Sequence, residues 1–150
     1  MENSKSVAIA TAGIGIKDLL LGASAPDVKR TLGKPDTART YSDEIWWSFF
    51  DRGIDCGFNK TDKTLIALNF FREGIAGHKQ ATVATENGLS PGIPKPVVLQ
   101  RLGAPTESDD GWTDRLGKWH RGWIKYASGI AFEFGHDNKV DVMTVYAPSE

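Results

Sequence analysis

The chain has 150 residues, 25% of them charged and 40% hydrophobic, and its 18 basic and 19 acidic residues give a formal net charge of −1. This is the composition of a folded globular protein, neither disordered nor collagen-like. Because a general electrostatic attraction to nucleic acid or to an anionic membrane requires concentrated positive charge, we expect neither as a partner.

The N-terminal segment, residues 1–12, lacks the long apolar stretch of a secretory signal peptide. No apolar run approaches the ~18 residues that are typical of a membrane-spanning helix. Cys56 is the single cysteine of the chain, so an intrachain disulfide is excluded. Together these features predict a cytoplasmic protein. Because Cys56 stands between apolar and small residues, we expect a buried side chain there, not a nucleophile.

A pattern of six shared positions occurs twice without a gap, at Gly22–Pro35 and at Gly92–Pro105. Both copies read G-x-x-x-P-x-V-x-x-x-L-G-x-P. In the first copy, Ser24 can cap a helix, and Pro26 suits the first turn, where an N–H has no helical partner. The final Gly-x-Pro ends a helix, because Gly adopts the left-handed conformation and Pro blocks continuation. Each copy therefore predicts a short helix with a structural role.

Similar strand patterns follow both predicted helices. An aromatic residue, a turn with Gly and an alternating apolar run occur at 50–58 and again at 126–134. Polar turns come next, and further strand-like runs occupy 64–71 and 140–146. The same order of elements twice along one chain predicts two copies of one supersecondary unit.

We therefore expect an α+β fold of two tandem units, residues 1–76 and 77–150. Each unit is expected to have two helical segments followed by an antiparallel meander, with the two sheets side by side and the helices on one face. The second unit carries extra residues around 108–121. Insertions of this kind usually form loops, and often binding loops.

Two such units, each containing L-G-x-P and then G-I-x-x-x-F, resemble the β-lactamase-inhibitor-protein-like fold. The small lipoprotein of the outer-membrane barrel-assembly machinery shares that fold. The resemblance covers residues 14–71 and 84–146. It implies paired sheets whose concave surface binds a partner protein through aromatic residues, and the matching positions of the first strand are Trp46, Trp47 and Phe49.

The remaining aromatic candidates lie in the insertion and in the strand after it. Three of the five tryptophans fall between residues 112 and 123, interleaved with charged residues. Exposed Trp beside Arg is the composition of an interaction hot spot. Strand alternation places Trp46 and Trp47 on opposite faces of their sheet. The predicted partner-binding residues are Trp46, Trp47, Phe49, Trp112, Arg115, Trp119, His120, Arg121 and Trp123.

No motif indicates catalysis or a metal site. The histidines, His78, His120 and His136, are far apart in the sequence, and none has the spacing of a zinc ligand set. The acidic pairs Asp43-Glu44 and Asp109-Asp110 fall in predicted turns, where solvated carboxylates are usual. We expect no enzyme activity, no metal and no cofactor.

These observations predict a non-enzymatic protein-binding module. Its most specific form is a cytoplasmic inhibitor or immunity-type protein that occludes a partner through an aromatic sheet face and loop. The alternative is a small-ligand-binding or sensory domain that uses the groove between the two sheets. A third hypothesis is a scaffold subunit whose exposed sheet pairs with a second copy in a homodimer.

Overall fold

The computed structural model describes residues 7–148 and is built mostly of strands, with 44% strand and 15% helix. Within these residues there are two α-helices, α1 (Ala25–Leu32) and α2 (Lys95–Leu102), and two short 3-10 turns, Phe50–Arg52 and Ile75–Gly77. The strands are β1 (Ala8–Ala10), β2 (Gly15–Ile16), β3 (Leu19–Leu20), β4 (Thr37–Thr40), β5 (Glu44–Phe49), β6 (Ile54–Asn59), β7 (Leu65–Phe71), β8 (Val83–Thr85), β9 (Glu107–Asp109), β10 (Trp112–Thr113), β11 (Trp119–His120), β12 (Gly122–Tyr126), β13 (Ile130–Phe134) and β14 (Val140–Tyr146).

One antiparallel sheet of eight strands forms the centre of the molecule, in the order β4-β5-β6-β7-β14-β13-β12-β9. Its middle is the pairing of β7 with β14, where Leu68 lies opposite Val145 and Asn69 opposite Thr144. The remaining strands form two-stranded pairs, of which β1 with β8 is parallel. Four strands from the first half of the chain therefore meet four from the second half at the β7–β14 pair.

Helix α1 begins and ends as the sequence pattern predicts. The Ser24 hydroxyl accepts a hydrogen bond from the backbone N–H of Asp27 over 3.3 Å, which satisfies one free donor of the first turn. At the other end Gly33 has a φ of 87°, and its N–H donates to the carbonyl of Lys29. A side chain is disfavoured at that φ, so glycine suits this position. Helix α2 begins after Pro94 without a side-chain cap.

The core lies between one face of the sheet and the helices. Val28 of α1 and Val98 of α2 are fully buried in it, together with Leu19 and Leu89 from the segments before the helices. Alternate side chains of the sheet supply the rest, because successive residues of a strand point to opposite faces. The large buried side chains of this sheet face are Phe49, Ile54, Phe58, Leu68, Phe70, Ile124, Ile130, Phe132, Met143 and Val145.

The predicted pair of helical segments in each unit is wrong. The segment before α1 forms the hairpin of β2 and β3, where Gly15 and Asp18 have φ values of 123° and 66°, outside the helical range. The segment before α2 contains the extended strand β8, which is held by parallel pairing with β1. Among the residues that the structure describes, each half of the chain therefore has one α-helix.

The predicted pair of meander sheets lying side by side is also wrong. Backbone pairing along five positions from Phe71↔Val142 to Ala67↔Tyr146 joins the strands of both halves into a single sheet. Each half also contributes a fourth strand, β4 or β9, at an outer edge of the sheet. The division of the chain into residues 1–76 and 77–150 stays a prediction.

Cys56 is fully buried in β6, as the sequence predicts. Burial first, and then the charge of neighbouring Asp55, raises the pKa of the Cys56 thiol far above its ordinary range. Because the thiolate is the reactive form of cysteine, this thiol is suited to packing in the core and poorly suited to nucleophilic chemistry.

Candidate functional site

The sheet has a second face that the helices do not cover, and we call it the open face. Adjacent residues of β5 show the division: Trp47 packs against Phe58 in the core with ring centroids 4.6 Å apart, whereas Trp46 lies over Gly57 on the open face. A Cβ on Gly57 would come within 2.6 Å of the Trp46 ring, so only glycine allows this approach. The open face carries Trp46, Asp55, Asn69, Trp123, Lys125, Glu133, Thr144 and Tyr146.

A hollow of about 380 Å³ lies on the side of the open face that β4 to β7 form, and we call it hollow A. Trp46 donates from its indole N–H to Glu44 Oε1 over 2.9 Å, which fixes both side chains. Asp55 and Asn69 are opposite each other in the pairing of β6 with β7. Hollow A is lined by Arg39, Tyr41, Glu44, Trp46, Asp55 and Asn69.

The Asp55 carboxylate is held in place by a contact with His78, the residue that follows the second 3-10 turn. His78 Nε2 lies 2.7 Å from Asp55 Oδ1, and the two residues are only 2% and 7% exposed. The imidazole stacks on Phe71 with centroids 3.8 Å apart and meets the ring of Phe50 edge-on. Its Nδ1 lies 3.1 Å from the carbonyl of Ile75, which only accepts, so Nδ1 carries a proton. This packing fixes the Asp55 carboxylate at the wall of hollow A.

A second hollow of about 380 Å³, hollow B, lies on the side of the open face that β12 to β14 form. Burial raises the pKa of Glu133, while the charge of Arg121 opposes the rise and that of Asp141 adds to it. The Lys125 ammonium lies 5.1 Å from the centre of the Tyr146 ring, within the range of a cation–π contact. Hollow B is lined by Trp123, Lys125, Ala131, Glu133, Thr144 and Tyr146.

The two hollows have matching chemistry: each contains one indole, one phenol, at least one carboxylate and one basic group. Asn69 and Thr144 lie between them, where the Thr144 hydroxyl donates to Asn69 Oδ1 over 2.7 Å. The open face can therefore offer stacking surfaces and hydrogen-bonding groups of both charges on either side of the sheet's midline.

A network of ion pairs joins the ends of β7, β12 and β14. Asp141 is buried and lies 3.3 Å from Arg72 and 2.9 Å from Arg121. Arg72 also pairs with Asp137, and the hydrogen bond from Arg72 lowers the pKa of that carboxyl. Arg121 donates from Nε to Asp141 Oδ2 and so links the residue before β12 to β14.

The insertion forms a hairpin of β10 and β11 that we call the edge hairpin, since it follows edge strand β9. Trp112 is 56% exposed and stacks on His120 with centroids 4.2 Å apart. His120 in turn lies 2.9 Å from Asp114 Oδ2. That contact first, and then the backbone N–H of Lys118, lowers the pKa of the Asp114 carboxyl. The turn between the strands carries Leu116, which is 94% exposed.

The structure separates the predicted partner-binding residues into three groups. Trp46 and Trp123 lie on the open face, and Arg121 immediately precedes β12 and pairs with Asp141. Trp47 and Phe49 lie on the core face, and Phe49 is 4% exposed. The edge hairpin carries the other four, of which Trp119 donates its indole N–H to the carbonyl of Phe134. The hairpin group is Trp112, Arg115, Trp119 and His120.

Sequence reasoning missed Asp55 and Asn69 of hollow A, the contact of His78 with Asp55, and Glu133 of hollow B. The alternation of β6 and β7 was a usable signal for Asp55 and Asn69, since each is a polar residue within an apolar strand. His78 gave no such signal, because it reaches Asp55 across 23 positions of sequence. The contact depends on how the chain returns after β7, which residue spacing does not predict.

The core side of the molecule contains a separate cavity of about 560 Å³. Buried apolar side chains, among them Leu19, Ile54, Phe70 and Val83, contribute to its lining. Charged residues, including Lys17 and Arg52, also line it. Its size and mixed lining suit a small molecule with an apolar body and a polar group.

Neither helix within residues 7–148 is long and apolar enough to cross a lipid bilayer.

No protein-family model and no curated protein matches this sequence. Among solved structures, the chain is similar to YjgB of Bacillus subtilis, a DUF4309 family protein, with 17% identity over 90% of this chain and 88% of that one, and a TM-score of 0.57. It is also similar to an extracellular protein containing an SCP domain from Bacillus anthracis, with 9% identity over 96% of this chain but 47% of that one, and a TM-score of 0.50. At these identities the likeness shows a shared fold and assigns no activity, and the resemblance to the β-lactamase-inhibitor-protein-like fold stays a prediction.

Proposed function

We propose that this chain is a non-enzymatic protein-binding module and that the open face of its sheet contacts the partner. One observation carries the proposal: Trp46 and Trp123 are only partly buried on a sheet face that the helices leave uncovered. A tryptophan held in place by its own sheet contributes a large contact area at a low cost in conformational entropy.

The polar groups around these indoles support a protein partner. Hollow A and hollow B each place a carboxylate and a basic side chain beside the tryptophan. Aromatic anchors surrounded by charges of both signs are typical of protein interfaces, where the charges determine the register and discriminate between partners. The mechanism is steric: a partner that lies on this face has its own surface occluded.

An inhibitor or immunity-type role is the most specific form of this function. The edge hairpin would enlarge the contact surface, because the exposed Trp112 and Leu116 provide an apolar contact beyond the sheet. Two tandem copies of one unit remain our interpretation of the duplicated sequence pattern. They agree with a fold in which each half of the chain supplies one α-helix and four strands of the eight-stranded sheet.

Oxidative footprinting of a captured complex tests this function. The chain is used to capture binding proteins, and the labelling of its aromatic side chains is compared with and without the purified partner. We expect Trp46 and Trp123 to be protected and Leu20, which is exposed on β3, to be unaffected. Protection confined to Leu20 and the residues around the core-side cavity would contradict the proposal.

The core-side cavity favours a second candidate function, the binding of a small ligand. Within residues 7–148 the expected groove between two meander sheets does not exist, because the strands of both meanders join into one eight-stranded sheet. The cavity beside Leu19 and Phe70 is the better location for such a ligand. A thermal-shift screen with small amphipathic molecules tests it, because a ligand that binds only the folded chain raises Tm saturably. The substitution Ala81→Phe, which fills the cavity, should abolish that rise.

A further inference from the structure

The two carboxylates that line hollow A each have one oxygen that accepts no hydrogen bond from the residues that the structure describes. Asp55 directs Oδ1 to His78, and the residues described by the structure give no hydrogen bond to Oδ2. Glu44 likewise uses Oε1 for the Trp46 indole, and Oε2 has no hydrogen bond from residues 7–148. Both residues line the hollow, so it offers carboxylate oxygens beside an indole.

We propose that hollow A receives an arginine side chain of the partner protein, an inference that rests on the proposed function. A guanidinium group has five N–H donors and no acceptor, which suits two carboxylates with unused oxygens. Its planar face stacks on aromatic rings, and Trp46 together with Tyr41 supplies them. An anion does not fit, because it would face Asp55 and Glu44, and a lysine ammonium lacks the planar face that stacks on the rings.

The surrounding charges define how the affinity should respond to substitution. Arg39, on β4 opposite Trp46, is the basic residue of the lining, and it repels a cationic guest. His78 Nε2 contacts Asp55 Oδ1, which leaves Oδ2 for the guest. Recognition therefore depends on Asp55 and Glu44 together with the Trp46 ring, against the opposing charge of Arg39.

The test uses arginine amide as the probe and the five tryptophan indole N–H signals in NMR as the readout. We expect a saturable shift of the Trp46 signal with a dissociation constant on the order of 1 mM. Citrulline amide, which has a similar shape but no charge, should not produce it. Trp123 reports on hollow B, and the core-packed Trp47 reports on the fold.

Two substitutions of exposed or partly exposed side chains give opposite predictions. Glu44→Gln keeps an acceptor for Trp46 but removes a negative charge, so arginine amide should bind about two- to fivefold more weakly. Arg39→Gln removes the repelling charge, so binding should be about two- to fivefold tighter. Asp55→Asn should weaken binding about tenfold or more, provided that the Trp47 signal shows a native fold.

Several results would overturn the proposal. These are the absence of a saturable Trp46 shift, an equal response to citrulline amide, or Glu44→Gln and Arg39→Gln variants that bind like the unmodified chain. Failure of the proposed function has a different signature: arginine amide would bind in hollow A, but no captured protein would protect the open face. A protein that protects Trp123 alone, without any effect of arginine amide on Trp46, would overturn the assignment of hollow A and leave the binding module intact.

Discussion

Thr144 of β14 and Asn69 of β7 form a side-chain hydrogen bond at the middle of the sheet, with 2.7 Å between the Thr144 hydroxyl and Asn69 Oδ1. The two residues are 75 positions apart in the sequence and lie opposite each other in the strand pair that joins the halves of the chain. They also separate the two hollows of the open face, so one contact links the architecture of the sheet to the candidate site.

Substituting Thr144 by Val should therefore destabilise the protein. The valine keeps the shape of the side chain but removes the donor, leaving the partly buried Asn69 carbonyl without it, at a cost of about 1 kcal/mol. Thr144→Ser keeps the hydroxyl and serves as the control. Urea unfolding measures both, and a valine variant as stable as the serine variant would contradict this role.

The core face of the sheet should be far more sensitive to truncation than the edge hairpin. Phe132 is fully buried in β13, and Phe132→Ala should reduce the free energy of unfolding by about 3–5 kcal/mol. Leu116 is almost fully exposed, and Leu116→Ala should change it by less than about 0.5 kcal/mol. Chemical denaturation of both variants checks the contrast, and similar losses would place Leu116 in a packed environment.

The carboxyl group of Glu133 should give the free energy of unfolding an unusual dependence on pH. Burial raises the pKa of this carboxyl in the folded state, so the folded chain holds the proton more tightly than the unfolded chain does. The contribution of Glu133 to stability is therefore favourable at low pH and decreases as pH rises from the ordinary glutamate value through the folded-state pKa.

We expect Glu133→Gln to raise Tm at neutral pH and to have no such effect below the ordinary glutamate pKa. Thermal unfolding across this range gives the comparison, with Glu107→Gln on the exposed edge strand β9 as the control. An equal gain at both ends of the range would show that the effect is unrelated to ionisation.

The carboxyl group of Asp114 should give the stability of the edge hairpin a dependence on pH of the opposite sign. Its hydrogen bonds to His120 and to backbone N–H groups lower the pKa of the folded carboxyl below the ordinary aspartate value of 3.8. This stabilisation is present above that value and is lost as pH falls through the lowered pKa. Nuclear Overhauser contacts between Trp112 and His120 should weaken over this range, and Asp114→Asn should weaken them at neutral pH. Contacts that persist at full strength in both cases would contradict the role of Asp114.

Local elements of the fold could be predicted from the sequence because their signals lie within a few residues. Ser24, Pro26 and Gly33 mark the limits of α1, and the structure confirms the cap and the turn at its end. The alternation that separates Trp46 from Trp47 is also local, since it follows from the period of a strand.

The arrangement of these elements could not be predicted in the same way. Joining β7 to β14 depends on backbone groups about 75 residues apart, and each strand looks equally suited to an edge of its own sheet. The helix expected before the first motif does not form because Gly15 and Asp18 have positive φ values, and the helix expected before the second motif does not form because β8 pairs with β1. The Asp55–His78 pair requires both the sheet register and the turn after β7.

The affinity of a captured partner for open-face variants tests the central claim most directly. We predict that Trp46→Ala and Trp123→Ala together weaken binding more than tenfold, since central aromatic anchors usually contribute more than about 1.4 kcal/mol each. Leu20→Ala, an exposed apolar substitution on β3, should leave the affinity unchanged. If the double substitution binds the partner as tightly as the unmodified chain, the open face is not the binding surface.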